Sequence, residues 1–537
     1  MTEIPEGCLP PTPTTTAELI ERAARDHGDR AFIVDGPRCW SFNATLNDVR
    51  ALAAVLLQRG LGHGDVAAIW SPNCGEWIIA ALAIQYIGGT VVTLNTRYKG
   101  AEAAAILADS GASLLFVVDR FLNVDYALSL EGHDCGKLKH QITIELEGGT
   151  GTSNGFAECI AVGRHALADE ATAAVLAERR ARVTGHTVSD ILFTSGTTGR
   201  AKGVVTLHEQ NLRAFSIFGH LLGLDADDRY LIINPFFHSF GYKAGWLAAL
   251  LVGASVYPLA VFDVPKVLEQ IETHNISVMP GPPTLFQSIL SHPALADSDI
   301  SSLRKATTGA ATIPTQLIIA MREQLGIDTV LTAYGLSESS GLATICRSGD
   351  SPEVIAHTSG RAIPGVEVAI MSDNHTLLPP GETGEIVIRG FNVMHGYLDN
   401  PAATAEAIDA EGWLHTGDVG RLDEAGNLRI TDRLKDMFIC GGFNCYPAEI
   451  ENQMLNHGDV AQVAVVGMPD PRMGEVTAAF VVPKPGGNID IDELTAWCRE
   501  HMANYKVPRR IEVLDALPLN ASGKVLKTQL RAHLTAA

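Results

Sequence analysis

Along the chain, short runs of β-branched and aliphatic residues alternate with stretches whose apolar positions recur every three or four residues. The first pattern predicts strands at Val66–Trp70, Val91–Leu94, Leu114–Val118, Asp190–Phe193, Tyr230–Ile233, Ser277–Met279 and Thr329–Thr332. The second predicts helices between them, such as Thr16–His27 and Asn43–Gln58. Side chains alternate between faces on a strand and return to one face after a helical turn, so the two periods separate the elements. Regular alternation of the two implies an α/β architecture with layered, largely parallel sheets.

From about Gly360 the texture changes. VEVAIMSDN, GEIVIRG and NLRITDR read as closely spaced strands with turn residues between them, a smaller β unit. The segment DRLKD, Asp432 to Asp436, follows, and a compact α/β pattern then restarts. It runs helix Pro447–Asn456, strand Val460–Val466, strand Thr477–Val482, helix Asp490–Met502 and strand Arg510–Leu514. This predicts a domain at residues 1–431, a hinge at 432–436 and a second domain at 437–537. No internal repeat is visible, and GGTGTSNG, Gly148 to Gly155, reads as a flexible surface loop.

Two apolar stretches, Trp77–Leu94 and Gly245–Val261, approach the minimum length of a membrane span. Gln85 and Gly88-Gly89 interrupt the first, and Gly253 and Pro258 the second. Each therefore divides into a helix and a buried strand. With 46% hydrophobic and 19% charged residues over 537 positions, the composition is that of a globular protein with ample core. A formal net charge of −21 argues against broad binding to nucleic acid or anionic membranes, which needs an extended basic field. A small polyanion remains compatible if a few cations are placed locally.

The segment MTEIPEGCLPPTPTTT lacks the charged-then-apolar pattern of a signal peptide. Nine cysteines are scattered, and only Cys440 and Cys445 lie close together, without the further ligands of a zinc site. The expectation is a cytoplasmic protein whose cysteines are small apolar filler in a reducing compartment.

The densest chemistry lies in TSGTTGRAKG, Thr194 to Gly203. Glycines let backbone N–H groups turn toward an anion. Thr194, Ser195, Thr197 and Thr198 add hydroxyl donors, and Lys202 adds a point charge. A Walker loop needs glycine at the sixth position from its first Gly, followed by Lys and then Ser or Thr. Counted from Gly196 that sixth position is Ala201, and counted from Gly199 Lys202 comes too early. The context reads as strand, loop, then helix. On composition alone a polar surface turn is an equal reading.

The loop resembles the signature of the adenylate-forming superfamily, which includes acyl-CoA synthetases, coumarate-type ligases, luciferases and peptide-synthetase adenylation domains. Ala201 stands where the usual form has proline. The resemblance continues in order through GAA (Gly309–Ala311), AYGLSES (Ala333–Ser339), GEIVIRG (Gly384–Gly390), GWLHTGD (Gly412–Asp418), DRLKDMFICGGFNCYPAEIE (Asp432–Glu451), YKVP (Tyr505–Pro508) and LPLNASGKVLK (Leu517–Lys527). It implies a large N-terminal adenylate-forming domain of layered α/β sheets with a small β-barrel-like unit, and a small, mobile α+β C-terminal domain. It also implies ATP, Mg²⁺ and CoA as reaction partners, with an acyl-adenylate as intermediate.

Roles follow by motif. Ser195, Gly196, Thr197, Thr198 and Gly199 with Thr194 and Lys202 would hold phosphates. Tyr334 would stack on adenine opposite Gly309, Ala310 and Ala311, with Gly335 beside it. Ser337 would reach a phosphate oxygen, and Glu338 would bind Mg²⁺, which prefers a carboxylate together with phosphate oxygens and water. Asp418 would accept from the two ribose hydroxyls, assisted by Arg433. Lys524 is similar to the lysine that stabilises charge at the α-phosphate. Lys435 matches the hinge, about which the small domain would rotate between half-reactions. Gly441-Gly442 would let a pantetheine arm pass.

Acyl choice is expected in PFFHSFGYKAGW, Pro235 to Trp246, with His238 bordering the carboxylate and Phe240, Gly241, Lys243 and Trp246 lining the pocket. Lys243 interrupts an apolar stretch, and a buried lysine is costly unless paired. It either meets a carboxylate or donates to a polar oxygen of the substrate. Together with TAYGLSESSG, Thr332 to Gly341, the stretch resembles an actinobacterial subgroup of acid–CoA ligases that activates an indane-dione propionate derived from steroid rings. A medium- or long-chain fatty acid is the alternative substrate. Other readings are a non-catalytic nucleotide- or acyl-binding relative, a luciferase-like oxygenase and an enzyme loading a carrier protein. Together Lys524, Glu338, Asp418 and Arg433 weigh against the first.

Overall fold

The computed structural model describes residues 12–146, 155–194, 201–309, 313–433, 436, 438–440, 443–445, 447–470, 472–502, 504–519 and 525–536. Two large sheets carry the N-terminal part. One runs, in spatial order, Arg361–Ala362, Thr344–Ile345, Thr329–Tyr334, Lys305–Thr308, Val278–Pro280, Arg229–Ile232, Ser255–Pro258, Ala31–Asp35 and Arg38–Ser41. Its centre is parallel and its edges antiparallel. The other runs Gly396–Tyr397, Lys202–Leu207, Val188–Thr194, Thr90–Thr93, Val66–Trp70, Leu114–Val118 and His140–Ile144. The predicted strands therefore fall where expected, with ends shifted by a residue or two.

Helix Gly75–Tyr86 is buried along its whole length. Its sequence, GEWIIAALAIQY, is apolar on every face, as a helix wrapped on all sides by protein must be. Strand Thr90–Thr93 follows it, and the second apolar stretch likewise resolves into helix Ala248–Val252 and strand Ser255–Pro258. Among the described residues no helix is long and apolar enough to cross a membrane. The small β unit is an antiparallel sheet ordered Val366–Met371, Gly384–Gly390, Leu414–Leu422 and Leu428–Arg433. The C-terminal part has its own sheet, in which Arg510–Val513 pairs parallel to Gly474–Pro483. It also has its own core around Phe438, Ile450, Val465, Val481 and Leu494.

One expectation is corrected. The loop after Thr194 does not lead into a helix. It returns as strand Lys202–Leu207, antiparallel to Val188–Thr194, with Thr194 opposite Lys202. The return follows from GVVTL, whose β-branched residues suit a pleated surface. The helix waits until His208, where the Gln210 side chain accepts from Leu207 N–H at 2.9 Å. The flanking segments are thus paired antiparallel strands, whereas a Walker loop opens directly onto a helix N-terminus.

A buried polar network ties this hairpin to the stretch expected to line the acyl pocket. Lys243 Nζ lies 2.9 Å from Asp190 Oδ1, with both side chains almost inaccessible. Asp190 also accepts from Thr206 Oγ1 (2.9 Å), Ser189 Oγ (2.9 Å) and Asn211 Nδ2 (2.7 Å). Gln85 Nε2 faces Ser189 Oγ at 2.9 Å and Tyr242 OH at 2.7 Å. Burial lowers the Lys243 pKa, and the Asp190 charge opposes that shift. Of the two readings of Lys243, the structure contains the carboxylate partner. Trp246 is buried against Tyr242, stacked at 4.9 Å between ring centroids, and against Trp77. A side chain at Gly241 would strike the carbonyl oxygens of Asn234 and Pro235 at 2.2 and 2.3 Å. Lys243, Trp246 and Gly241 are thus packed as scaffold behind the His238 segment.

Two outcomes follow. Lys243→Met strands a buried carboxylate, and urea unfolding should report a loss of roughly 3–5 kcal/mol. Adding Asp190→Asn should restore most of it, because the charge is then removed with its partner. The second outcome concerns His208, fully buried with Nδ1 facing Thr16 N at 3.4 Å, whose pKa burial lowers from 6.5 to about 4. The unfolded chain takes up this proton below its ordinary pKa and the folded chain resists, so stability falls as pH drops. Unfolding free energies compared at pH 7 and 5 should show wild type losing about 2 kcal/mol more than His208→Gln.

Candidate nucleotide and acyl site

The expected nucleotide residues stand at the carboxyl ends of parallel strands, where open α/β sheets place their ligands. Thr194 ends strand Val188–Thr194, Gly309 follows Lys305–Thr308, and Tyr334 ends Thr329–Tyr334. Residues 195–200, Ala310 and Ala311 lie outside the described residues, as do Lys435, Gly441, Gly442 and Lys524. The side chain of Arg433 is likewise undescribed, but its backbone pairs with Asp418 across the small β unit.

Three groupings emerge. In the first, Tyr334 OH donates to Asp418 Oδ2 at 2.6 Å, and both residues are buried. Gly417, at φ +67°, turns the chain so that Asp418 faces inward. Glu385 holds this turn by accepting from Gly417 N–H at 3.0 Å and facing His415 Nδ1 at 2.8 Å. The phenol of Tyr334 thus fixes the carboxylate expected to meet the ribose.

In the second grouping, Ser337 and Glu338 share the short 3₁₀ turn Ser337–Ser339. Gly335 must be glycine there, because a Cβ would lie 2.4 Å from the backbone of Gly341. Tyr397 OH donates to Glu338 Oε1 at 3.0 Å, and Lys202 Nζ sits 4.9 Å from the centroid of the same tyrosine ring. Burial, then the Glu338 charge, push the Tyr397 phenol well above its ordinary pKa, so it remains a donor. Among the described residues no cluster of three or more metal-ligating side chains exists. One carboxylate suits Mg²⁺ when phosphates and water complete its shell. Glu338 fits that requirement, since it is half-buried and oriented by a neutral donor.

The third grouping surrounds His238. Its ring reaches solvent, and its Nδ1 accepts from Phe240 N–H at 3.4 Å. The protein around it nevertheless lowers its pKa by desolvation, favouring the neutral ring. Phe240 is half-buried beside it. Asn73 anchors the whole loop, donating to the carbonyls of Ile232 and Asn234 at 3.2 and 3.0 Å and accepting from Phe236 N–H at 2.8 Å. A Cβ built at Gly341, φ +96°, would lie 3.1 Å from Ser239 Cβ. The His238 loop and the Glu338 loop therefore pass in close contact.

Sequence reasoning missed Asn73, Gln85, Asp190, Glu385 and Tyr397. Their partners are remote in the chain and carry no local spacing. Asp190 had one usable signal, an acid directly before the apolar run Ile191–Phe193.

Comparison with known proteins identifies the family. The profile described as AMP-binding enzyme matches residues 20–398, and that of the AMP-binding enzyme C-terminal domain matches 449–524. The chain is 48% identical to the (7a-methyl-1,5-dioxo-octahydro-1H-inden-4-yl)propanoyl:CoA ligase of Rhodococcus jostii (strain RHA1), over 97% of this chain and 98% of that one. It is 48% identical to the ligase of the same name from Mycobacterium tuberculosis, over 96% and 98%. Among solved structures, an amide bond synthetase from Marinactinospora thermotolerans aligns at 29% identity with a TM-score of 0.84, covering 96% and 99% of the two chains. The chain belongs to the AMP-binding enzyme family, the adenylate-forming superfamily, and is an acyl-CoA ligase.

Proposed function

We propose that this ligase activates a bicyclic diketone propionate, the methyl-dioxo-octahydroindenyl acid of steroid ring degradation. The reading rests on the 48% identity, over nearly the full length of both chains, to two ligases bearing that substrate in their names. Carboxylate and ATP give the acyl-adenylate and pyrophosphate, and the CoA thiol then displaces AMP. Activation is needed because a free carboxylate would have to expel oxide.

The first step gathers negative charge at the α-phosphate, where fixed donors count most. Lys524 supplies one, and Lys202 with Thr194–Gly199 holds the outer phosphates. Mg²⁺, when bound, neutralises phosphate charge and is held by Glu338. Tyr334 and Gly309–Ala311 enclose the adenine, and Asp418 with Arg433 receives the ribose. His238, neutral at physiological pH, borders the acyl carboxylate without adding a competing charge. A hinge at 432–436, centred on Lys435, lets 437–537 turn against 1–431, so that Gly441-Gly442 replaces Lys524 at the site. The cytoplasm, with its ATP, CoA and reducing thiol pool, is the compartment this chemistry needs.

Two measurements test the reading. Pyrophosphate release with ATP, Mg²⁺ and CoA, thioester confirmed by mass, should favour the bicyclic acid over fatty and aryl acids by about tenfold or more in kcat/KM. Preference for a fatty chain would discard the substrate and keep the catalytic roles. Separately, Lys524→Ala should lose adenylate formation by about a hundredfold or more. It should still convert supplied acyl-adenylate to thioester near the wild-type rate. Equal failure of both half-reactions in a folded variant would rule out the alternating C-terminal domain.

A further inference from the structure

We propose that Tyr397 is a positioning residue that sets the Glu338 carboxylate for the cation and fixes the Lys202 ammonium beside it. The inference rests on the reading of Glu338 as the carboxylate that meets Mg²⁺.

Tyr397 occupies a two-residue strand, Gly396–Tyr397, at the edge of the seven-stranded sheet. That strand pairs with Lys202–Leu207, the return arm of the phosphate hairpin, with Val204 opposite Tyr397. Leu398 N–H donates to Gly203 O at 2.8 Å, and His395 N–H donates to Val205 O at 2.9 Å. Thr404 Oγ1 accepts from Tyr397 N–H at 2.9 Å. The tyrosine backbone is thus pinned on both sides, and its ring cannot drift from the hairpin.

The same segment grips the Glu338 turn twice. Met394 N–H donates to Glu338 O at 2.8 Å, and Tyr397 OH donates to Glu338 Oε1 at 3.0 Å. The ring face meets Lys202 Nζ at 4.9 Å from its centroid, inside the reach of a cation–π contact. One side chain therefore touches the acid expected at the metal and the lysine expected at the phosphates. These two come from segments more than a hundred positions apart in the sequence.

The choice of tyrosine carries the argument. A lysine or arginine in this place would neutralise Glu338 and compete with the metal. A phenol holds one carboxylate oxygen by a neutral hydrogen bond and leaves the negative charge in place. Such outer partners of a metal ligand fix its rotamer, and their loss typically lowers metal affinity about 10–100-fold.

The test titrates Mg²⁺ into the full-length enzyme with ATP present and follows ATP binding by calorimetry, without acid or CoA. In Tyr397→Phe, which keeps the ring and its contact with Lys202, half-saturating Mg²⁺ should rise about tenfold. ATP affinity at saturating Mg²⁺, the KM of the acid and the melting temperature should stay near wild type. In the Glu338→Gln background the Tyr397→Phe change should have no further effect, because its only route runs through the carboxylate. A merely structural tyrosine would instead shift melting and all affinities together, in both backgrounds. An unchanged Mg²⁺ requirement in Tyr397→Phe, with Glu338→Gln raising it, would overturn the role of Tyr397 alone. An unchanged requirement in Glu338→Gln would overturn the reading of Glu338 and this inference with it.

Discussion

The ion pair of Asp190 and Lys243 is the constraint around which the catalytic half of the molecule is arranged. Asp190 lies on the strand that feeds the phosphate hairpin, Thr206 on the strand that returns from it, and Asn211 on the helix that follows. Lys243 brings in the π-helical turn Tyr242–Leu247, and Gln85 brings in the buried helix Gly75–Tyr86. Five elements therefore share one set of polar contacts in a region that is otherwise apolar. A buried pair contributes little net stability over an apolar replacement, but a half-pair is strongly unfavourable. The network thereby penalises any packing in which the hairpin and the acyl loop slide past each other, which gives it a role in register.

The strand pattern was legible because β-branched runs such as VVTL and LLFVV have no other use in a core, and because helix–strand alternation implies parallel layers. The candidate site was picked out for a different reason. Motifs of glycine, hydroxyl and cation in a fixed order reflect ligand chemistry that acts on a few consecutive residues. The hairpin was misread because the polar composition of TSGTTGRAKG suits either continuation. Only the following GVVTL, taken as a strand, decides between them. Lys243 stood out as a charge in an apolar run, yet its partner lies 53 positions earlier, where spacing carries no information. Tyr397 and Asn73 were invisible for the same reason, since each acts across more than fifty residues of sequence.

The acidic balance of the chain fits its chemistry once charges are considered locally. A net charge of −21 repels a polyanion at long range, and salt screens that repulsion beyond roughly 10 Å. Over shorter distances a few locally placed cations suffice to attract a small polyanion. The described cysteines are free thiols, and burial raises the pKa of Cys440's neighbour Cys445 to about 12. A thiol held in that state is a poor nucleophile.

Three carboxylates then divide by the chemistry of their described partners. Asp190 meets an ammonium and is neutralised in place, which makes it part of the scaffold. Glu338 and Asp418 each receive a tyrosine hydroxyl, at 3.0 and 2.6 Å. A phenol donor orients a carboxylate without cancelling its charge, so the electrostatic pull on a cation or on a pair of hydroxyls survives inside a half-buried site. Preorganised groups of this kind cost little reorganisation when a ligand arrives. Tyr334 and Tyr397 thus play parallel parts, each donating a phenol hydroxyl to a carboxylate that is remote in sequence.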